Sequence, residues 1–334
     1  MSTTVILFGS SGMLGNTIYE YFKFKRLYEL ICINRCHFDI LKNNKNDLYN
    51  LFQVFPANCV IINATGLIPH SGNTNENDYY KINADFPKLL DELCNTFHHT
   101  FIHITTDCVF NGKTINYESE FIHIKDLREF KGYTENDVKN EANIYGKSKA
   151  LGEELTNATI IRTSIIGEQN NINSSNTKLS LLQWVRSQTS QNKIGSCLVQ
   201  ARTQSGSCLD KPDPESHLDN SRPVIDGYCN HYWNGITCLR LAELIHKIIE
   251  KKLFWMGVRH IFTDKHISKY MLIGYINEIY NLNLNIKKIE CSIEINKTLC
   301  TNHINNAVLN QYCDSIDIYQ QIKDQMLFFK SMSK

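Results

Sequence analysis

Along the first half of the chain, short apolar runs rich in β-branched residues alternate with longer segments whose apolar positions recur at helical spacing. The runs Thr4 to Phe8, Leu30 to Asn34, Val60 to Ala64, Phe101 to Thr105 and Thr159 to Ile166 predict strands. Between them, Leu14, Ile18 and Phe22 share one helix face, and Phe86, Leu89, Leu90 and Leu93 share another. Strand and helix in strict alternation predict an α/β fold with a doubly wound parallel sheet covered by helices. In the second half, Leu239 to Lys251 and Ile267 to Tyr280 read as amphipathic helices, with little strand pattern before Asn285 to Ile289. That half predicts a smaller C-terminal lobe for substrate.

The expected boundaries are 1–167 for the nucleotide-binding domain and 168–334 mainly for the substrate lobe, with 228–264 partly returning to the first domain. Two segments interrupt the pattern. From Gly112 to Glu141 the chain is charged and weakly periodic, which predicts a surface excursion over 112–141. From Gly195 to Asp226 it turns to Ser, Gly, Asp and Pro, with three of the six prolines, and predicts a flexible insertion over 195–226.

Charge narrows the class of partner. Thirty-five basic residues face 34 acidic ones, so no nucleic-acid footprint or polybasic membrane patch is expected, and small molecules are the expected ligands. No apolar run approaches the roughly 20 residues that span a bilayer, and the N-terminus runs from strand into glycine turn without a leader pattern, so a soluble cytoplasmic protein with no membrane partner is expected. The 12 cysteines are scattered without CxxC spacing, and His98, His99 and His103 lack a carboxylate or thiolate partner set; reduced thiols and no metal are expected.

The chemistry-bearing stretches lie where strands end. "VILFGSSGMLG" places Gly9, Gly12 and Gly15 after a strand and at a helix start: Gly9 for the tight turn, Gly12 for approach of a pyrophosphate, Gly15 for close helix packing. With Ser11, Met13 and Leu14 they form the expected dinucleotide cradle of a Rossmann-type sheet. At the end of the second strand "CINRCHFDI" offers Asn34 and Arg35 in place of a carboxylate; Arg35 can pair with a 2′-phosphate, which favours NADPH, with NADH as the alternative. Asp39 and Ile40 follow at the expected adenine position. Ala64, Thr65 and Gly66 let backbone pass close to a dinucleotide, and Thr105, Thr106 and Asp107 end the next strand facing the same crevice. In "IYGKSKALGEEL", Tyr145 and Lys149 sit four residues apart on one helix face, where an ammonium beside a phenol would lower its pKa from about 10.

Gly9 to Gly15, "ITTDCVF", "YGKSKALGE" and "IIRTSIIG" occur in the order found in extended short-chain dehydrogenases/reductases, and the chain most resembles the dTDP-4-dehydrorhamnose reductase (RmlD-like) family. The resemblance runs from Thr4 to about Gly167 and resumes from Asn230 to Ile245. It implies reduction of the C4 ketone of a nucleotide-activated 4-keto-6-deoxyhexose, with Tyr145 as proton donor, Lys149 on the nicotinamide ribose and Thr106 as third catalytic position. It further implies Asp107 at the substrate, Asn83 as a structural asparagine behind the site, a nucleotide-sugar partner and room for a homodimer. Thr106 is followed by Asp107-Cys108 rather than the Asp-Glu of the 4,6-dehydratases. A cysteine there resembles the bifunctional epimerase/reductases of the GDP-fucose synthase type, so Cys108 at the substrate leaves a 3,5-epimerase/4-reductase open. A non-catalytic dinucleotide-binding regulatory subunit is the alternative of another class. Trp184, Arg186, Tyr232 and Trp233 could meet a nucleotide or fill the lobe's core.

Overall fold

The computed structural model describes residues 3–69, 75–112, 132–168, 179–191, 222–303 and 317–332. Strands β1 (Thr4–Phe8), β2 (Glu29–Ile33), β3 (Val60–Asn63), β4 (Thr100–Thr106) and β5 (Thr159–Thr163) pair in parallel in the order β2-β1-β3-β4-β5. Alternation along each strand divides the packing. Val5 and Leu7 of β1 join the core beneath α1 (Met13–Lys25), whereas Ile6 and Phe8 join the core beneath α2 (Lys45–Gln53) and α4 (Phe86–Thr96). A short α3 (Glu76–Tyr80) runs into α4 through a π-helical turn at Lys81–Asp85, and α5 (Ile144–Leu151) lies between β4 and β5 in the chain.

The expected strand Thr159 to Ile166 is divided in two. Ser164 leaves the main sheet, and the two residues of β6 (Ile165–Ile166) pair instead with β9 (Ile236–Thr237). Gly235 crosses so close to Ser164 that a Cβ there would lie 2.1 Å from its carbonyl oxygen. After α6 (Leu181–Ser187), β7 (Val224–Tyr228) and β8 (His231–Trp233), helix α7 (Cys238–Glu250) packs against α1, and β10 (Gly257–His260) adds a sixth parallel strand beside β5. The chain therefore returns from the lobe to cover and extend the sheet.

The lobe holds more strand than its sequence pattern predicts. β7 pairs with β12 (Asn285–Ile289), and β8 pairs with β11 (Ile267–Ser268) and β13 (Ile295–Asn296). Ile267 and Ser268, expected at a helix start, are strand residues, with Ser268 capping α8 (Lys269–Ile279). Residues 224–226 of the expected flexible insertion are strand residues of β7. Gly227 then occupies a buried slot because the Tyr270 ring passes 2.9 Å from where a Cβ would be. Positions 195–221 of that insertion lie outside the described residues. Of the expected 112–141 excursion, 113–131 lie outside them too, while 132–141 dock firmly: Tyr133 bridges to Leu299, and Glu135 accepts from the His260 amide. The final helix α9 (Ile318–Met332) buries Gln321 and Gln325, which accept from the first amides of α7's turn, and seats Ile318, Ile322 and Met326 in the lobe core.

Beneath the C-terminal end of α5, Arg162 of β5 is buried among polar partners. Its Nε donates to Glu153 Oε1 at 2.9 Å, Nη2 donates to the other carboxylate oxygen, and Nη1 meets His260 Nε2 at 2.7 Å. Because that nitrogen accepts from the guanidinium, the imidazole carries its proton on Nδ1 and donates it to the Cys300 carbonyl, 2.7 Å away. Burial, then the guanidinium, push His260 down to about 4, so it stays neutral. Glu153→Gln leaves the guanidinium buried without its counter-charge and should cost about 3–5 kcal/mol in urea unfolding. A loss below about 1 kcal/mol would contradict this balance.

Candidate active site

The glycine turn and the end of β3 are pressed together. Gly9 has φ +84°, open to glycine at little cost, and a Cβ on it would lie 2.9 Å from the Ala64 carbonyl and the Thr65 amide. A Cβ on Gly15 would lie 2.1 Å from the Gly9 carbonyl oxygen, so α1 can approach the turn this closely only with glycine there. Gly12 caps α1 without a side-chain bond, and nothing but the Gly9 carbonyl, at 3.4 Å, bounds its Cβ position. Ser11 is exposed in the turn, Met13 reaches toward Gly167 and Leu14 is buried in the core. The cradle thus presents bare backbone and a helix N-terminus at the switch point of the strand order, between β1 and β3, and fits a dinucleotide pyrophosphate.

At the end of β2, Arg35 is exposed and makes no ion pair among the described residues. Its neighbours have local work. Asn34 Oδ1 accepts from the Cys36 amide at 3.0 Å, and Asp39 Oδ1 accepts from the Leu41 amide at 3.0 Å, so both shape the turn. Ile40 packs between the α2/α4 core and a small group formed by Leu67, Tyr79 and Ile82, which Tyr145 also touches.

β4, the short helical turn Asp107–Val109 and α5 then converge. Thr106 Oγ1 donates to Asp107 Oδ1 at 3.0 Å and accepts from the Cys108 amide at 3.1 Å, and its side chain stands beside Tyr145. Thr105, one residue earlier, faces the other way and donates to Glu153 at 2.9 Å. Asn143 caps α5 by accepting from the Gly146 amide, which sets the turn carrying Tyr145. The expected draw of Lys149 on the phenol is not realised. Burial raises the Tyr145 hydroxyl above its usual 10, Cys108 and Asp107 add to the rise, and the neighbouring Thr106 hydroxyl opposes it. Lys149 points instead to the β3 side: its Nζ lies 3.1 Å from where a Gly66 Cβ would be, beside Asn83. No acceptor among the described residues takes a hydrogen bond from Nζ, and burial pushes its pKa down to about 8. That leaves a buried ammonium with its donors toward the crevice.

Asn83 occupies the π-helical turn. Its Oδ1 accepts from the Leu67 amide at 2.8 Å, and its Nδ2 donates to the Leu67 carbonyl and to Ser148 Oγ, joining the segment after Gly66 to α5. Cys108 is half-buried, and desolvation followed by the Asp107 carboxylate pushes its thiol up to about 12. At neutral pH it is a thiol rather than a thiolate, which removes the ready base that an epimerase step would need. Trp233 is in the lobe core, Trp184 packs at its margin, Tyr232 meets His266 edge-on, and Arg186 pairs with Glu168 across the Tyr280 ring.

Sequence reasoning missed Glu141 and Lys297. Glu141 lies over Gly146, where a Cβ would meet its Cγ at 2.2 Å, and binds Lys297 at 3.1 Å. Lys297 follows β13, and the charges of Cys108, Asp107 and Glu141 raise its pKa. It reaches the site from 156 residues beyond Glu141, so no local spacing could signal it.

The family model described as RmlD substrate binding domain matches residues 3–189. A dTDP-4-dehydrorhamnose reductase of Aggregatibacter actinomycetemcomitans is 27% identical over 50% of this chain and 53% of its own length. The spore coat polysaccharide biosynthesis protein SpsK of Bacillus subtilis is 27% identical over 54% and 59%. The chain thus spans little more than half the length of these curated relatives. The crystal structure of dTDP-4-dehydrorhamnose reductase from Bacillus anthracis in complex with NADP superposes with a TM-score of 0.70 at 17% identity, over 98% of this chain and 99% of that one, and shows the shared fold.

Lys149 generates a stability prediction. Its folded pKa of about 8 lies below the ordinary 10.5, so the unfolded chain holds the proton more tightly between those values. Burying the charged form therefore opposes folding below pH 8, and the penalty fades as pH rises toward 10.5. Lys149→Met should raise the unfolding free energy at pH 7 by a few kcal/mol, with the gain shrinking by pH 10 in paired urea titrations. A pH-independent effect would refute the assignment of the penalty to charge.

Proposed function

We propose that this chain, a member of the RmlD substrate binding domain family, is an NADPH-dependent reductase acting on the C4 ketone of a nucleotide-activated 4-keto-6-deoxyhexose, dTDP-linked as the names of the Aggregatibacter and Bacillus anthracis reductases indicate for those enzymes. One observation carries the reading. The Tyr145 phenol and the Thr106 hydroxyl stand side by side at the strand end that faces the glycine turn, with the unpaired Lys149 ammonium one helical turn further along α5. A ketone oxygen received by that pair would meet the proton of Tyr145, and the Thr106 hydroxyl once its hydrogen turns from Asp107 toward the ketone.

NADPH, when bound, supplies the hydride. Gly9 to Gly15 would hold its pyrophosphate, Arg35 its 2′-phosphate, Ile40 and Asp39 the adenine end, Ala64 to Gly66 the passing backbone, and Lys149 the ribose nearest the reacting carbon. The chain's own chemistry is then short. Thr106 orients the ketone, Tyr145 gives its proton to the oxygen as charge develops there, and Lys149, already charged at neutral pH, positions the ribose rather than the phenol. Before that step the buried phenol is held protonated, which suits a donor. Asp107 faces substrate. Cys108, held as a thiol, fits packing at the strand end better than a second acid/base, so the plain reductase is favoured over the epimerase/reductase.

Tyr145→Phe should lower turnover of a dTDP-4-keto-6-deoxyhexose by roughly 100-fold or more while sparing NADPH binding, read from steady-state NADPH oxidation and from fluorescence titration. A folded variant with full activity would sink the proton-donor role. Arg35→Ala should weaken NADPH much more than NADH, since only one of them offers a phosphate to the guanidinium. Equal losses would leave Arg35 without a part in cofactor choice.

A further inference from the structure

Behind Lys149 lies a buried polar chain that the proposed chemistry does not use. Asn63 closes β3 and sits in register opposite His103 of β4, and both side chains are completely buried. Asn63 Oδ1 accepts from the Thr65 amide at 3.0 Å and from the Thr65 hydroxyl at 2.6 Å. Those two donors identify the oxygen end of the amide, so its Nδ2 is the atom facing His103 Nδ1 at 3.2 Å. Nδ1 must then accept. An imidazole that accepts at Nδ1 carries its proton on Nε2, and burial together with the neighbouring Lys149 charge keeps the ring from becoming a cation.

The arrangement has a cost. His103 Nε2 is buried with no hydrogen-bond partner among the described residues, which opposes folding by roughly 1–3 kcal/mol. A leucine or phenylalanine would fill the same apolar space without that donor. What the imidazole supplies in exchange is the acceptor at Nδ1, which joins the two Thr65 donors in fixing which way the Asn63 amide points. If the amide turned over, the Thr65 amide would face an NH2 group and lose its acceptor, its hydroxyl would have to accept rather than donate, and the turn that Gly9 presses against would lose a tie at its hinge.

We propose that His103 is a positioning residue for the Thr65 turn: as the neutral Nε2–H tautomer it locks the Asn63 amide, and through it holds residues 64–66 in the conformation that receives the dinucleotide. The link from turn to dinucleotide rests on the function proposed above. The link from His103 to Asn63 does not.

The test separates the two. Long-range 1H–15N correlation spectra of the full chain labelled with 15N-histidine, with the His103 signals identified by their loss in His103→Gln, should show an unprotonated Nδ1 and a protonated Nε2 that do not titrate between about pH 5.5 and 8.5. Asn63→Asp, which offers His103 only acceptors, should move the proton to Nδ1. A wild-type Nδ1–H form, or titration near the ordinary histidine value, overturns the lock. For the cofactor arm, His103→Leu should weaken NADPH roughly tenfold by fluorescence titration, the worth of about one hydrogen bond, with His103→Gln recovering most of the loss through its amide oxygen. A folded leucine variant that binds NADPH as the wild type does would overturn the positioning role. If the leucine variant does not fold, the glutamine variant and Asn63→Leu, which removes the acceptor that holds Thr65, carry the comparison, with unaltered NADPH binding in Asn63→Leu counting against the proposal. Failure of every form to bind NADPH, with the tautomer as expected, would instead fault the functional reading and confine His103 to shaping the turn.

Discussion

The buried ion pair of Arg162 with Glu153 is the constraint on which the rest of the site depends. A guanidinium out of water is tolerable only if its donors are met, and here they reach Glu153, which follows α5, and His260 on the last strand of the sheet. Glu153 in turn receives Thr105 of β4 and Lys139. One charge therefore ties together β4, β5, β10 and the end of the helix that carries Tyr145 and Lys149. Such a pair adds little net stability compared with well-packed apolar residues, but a shifted α5 would leave it unmatched, and that penalty specifies the position. Phe110 lies under the guanidinium at 5.1 Å and stacks on Tyr133, so the segment that begins at Gly132 is drawn into the same arrangement.

Around this anchor the site holds polar groups at a cost. Lys149 stays charged though buried, Tyr145 stays protonated beside Asp107, and His103 keeps an unmatched donor. Each departs from what packing alone would choose, and all three lie within one polar seam between α5 and the strand ends. A protein that needed this region only for its fold would do better with apolar residues, so the concentration of such departures points to chemistry there.

Much of the sheet was legible because its strands are buried on both faces and read as continuous apolar runs bounded by turn residues, as with Val5 to Phe8 and Val60 to Ile62. The glycine turn was legible because a strand, three spaced glycines and a helix together leave few other readings. The lobe was not, because its strands are two to five residues long and its pairing joins distant segments such as β8 with β13. Trp184 and Trp233 illustrate the limit: an aromatic pattern does not distinguish a nucleotide platform from a core, and packing decided for the core. Charge effects were the least legible. The helical spacing of Tyr145 and Lys149 correctly places them on one helix but not the direction of the ammonium, which Gly66 admits by lacking a side chain. Lys297, Glu141 and the tautomer of His103 follow from contacts between segments far apart in sequence, and no local pattern marks them.

The most direct test of the account is where the hydrogen goes. A dTDP-4-keto-6-deoxyhexose incubated with the full chain and NADPH deuterated at the transferable position of its nicotinamide should yield a 4-hydroxy product one mass unit heavier, with the deuterium at C4 by NMR. Product carrying no deuterium at C4, or a properly folded chain that binds NADPH and turns over no 4-keto nucleotide sugar of any base, would contradict it.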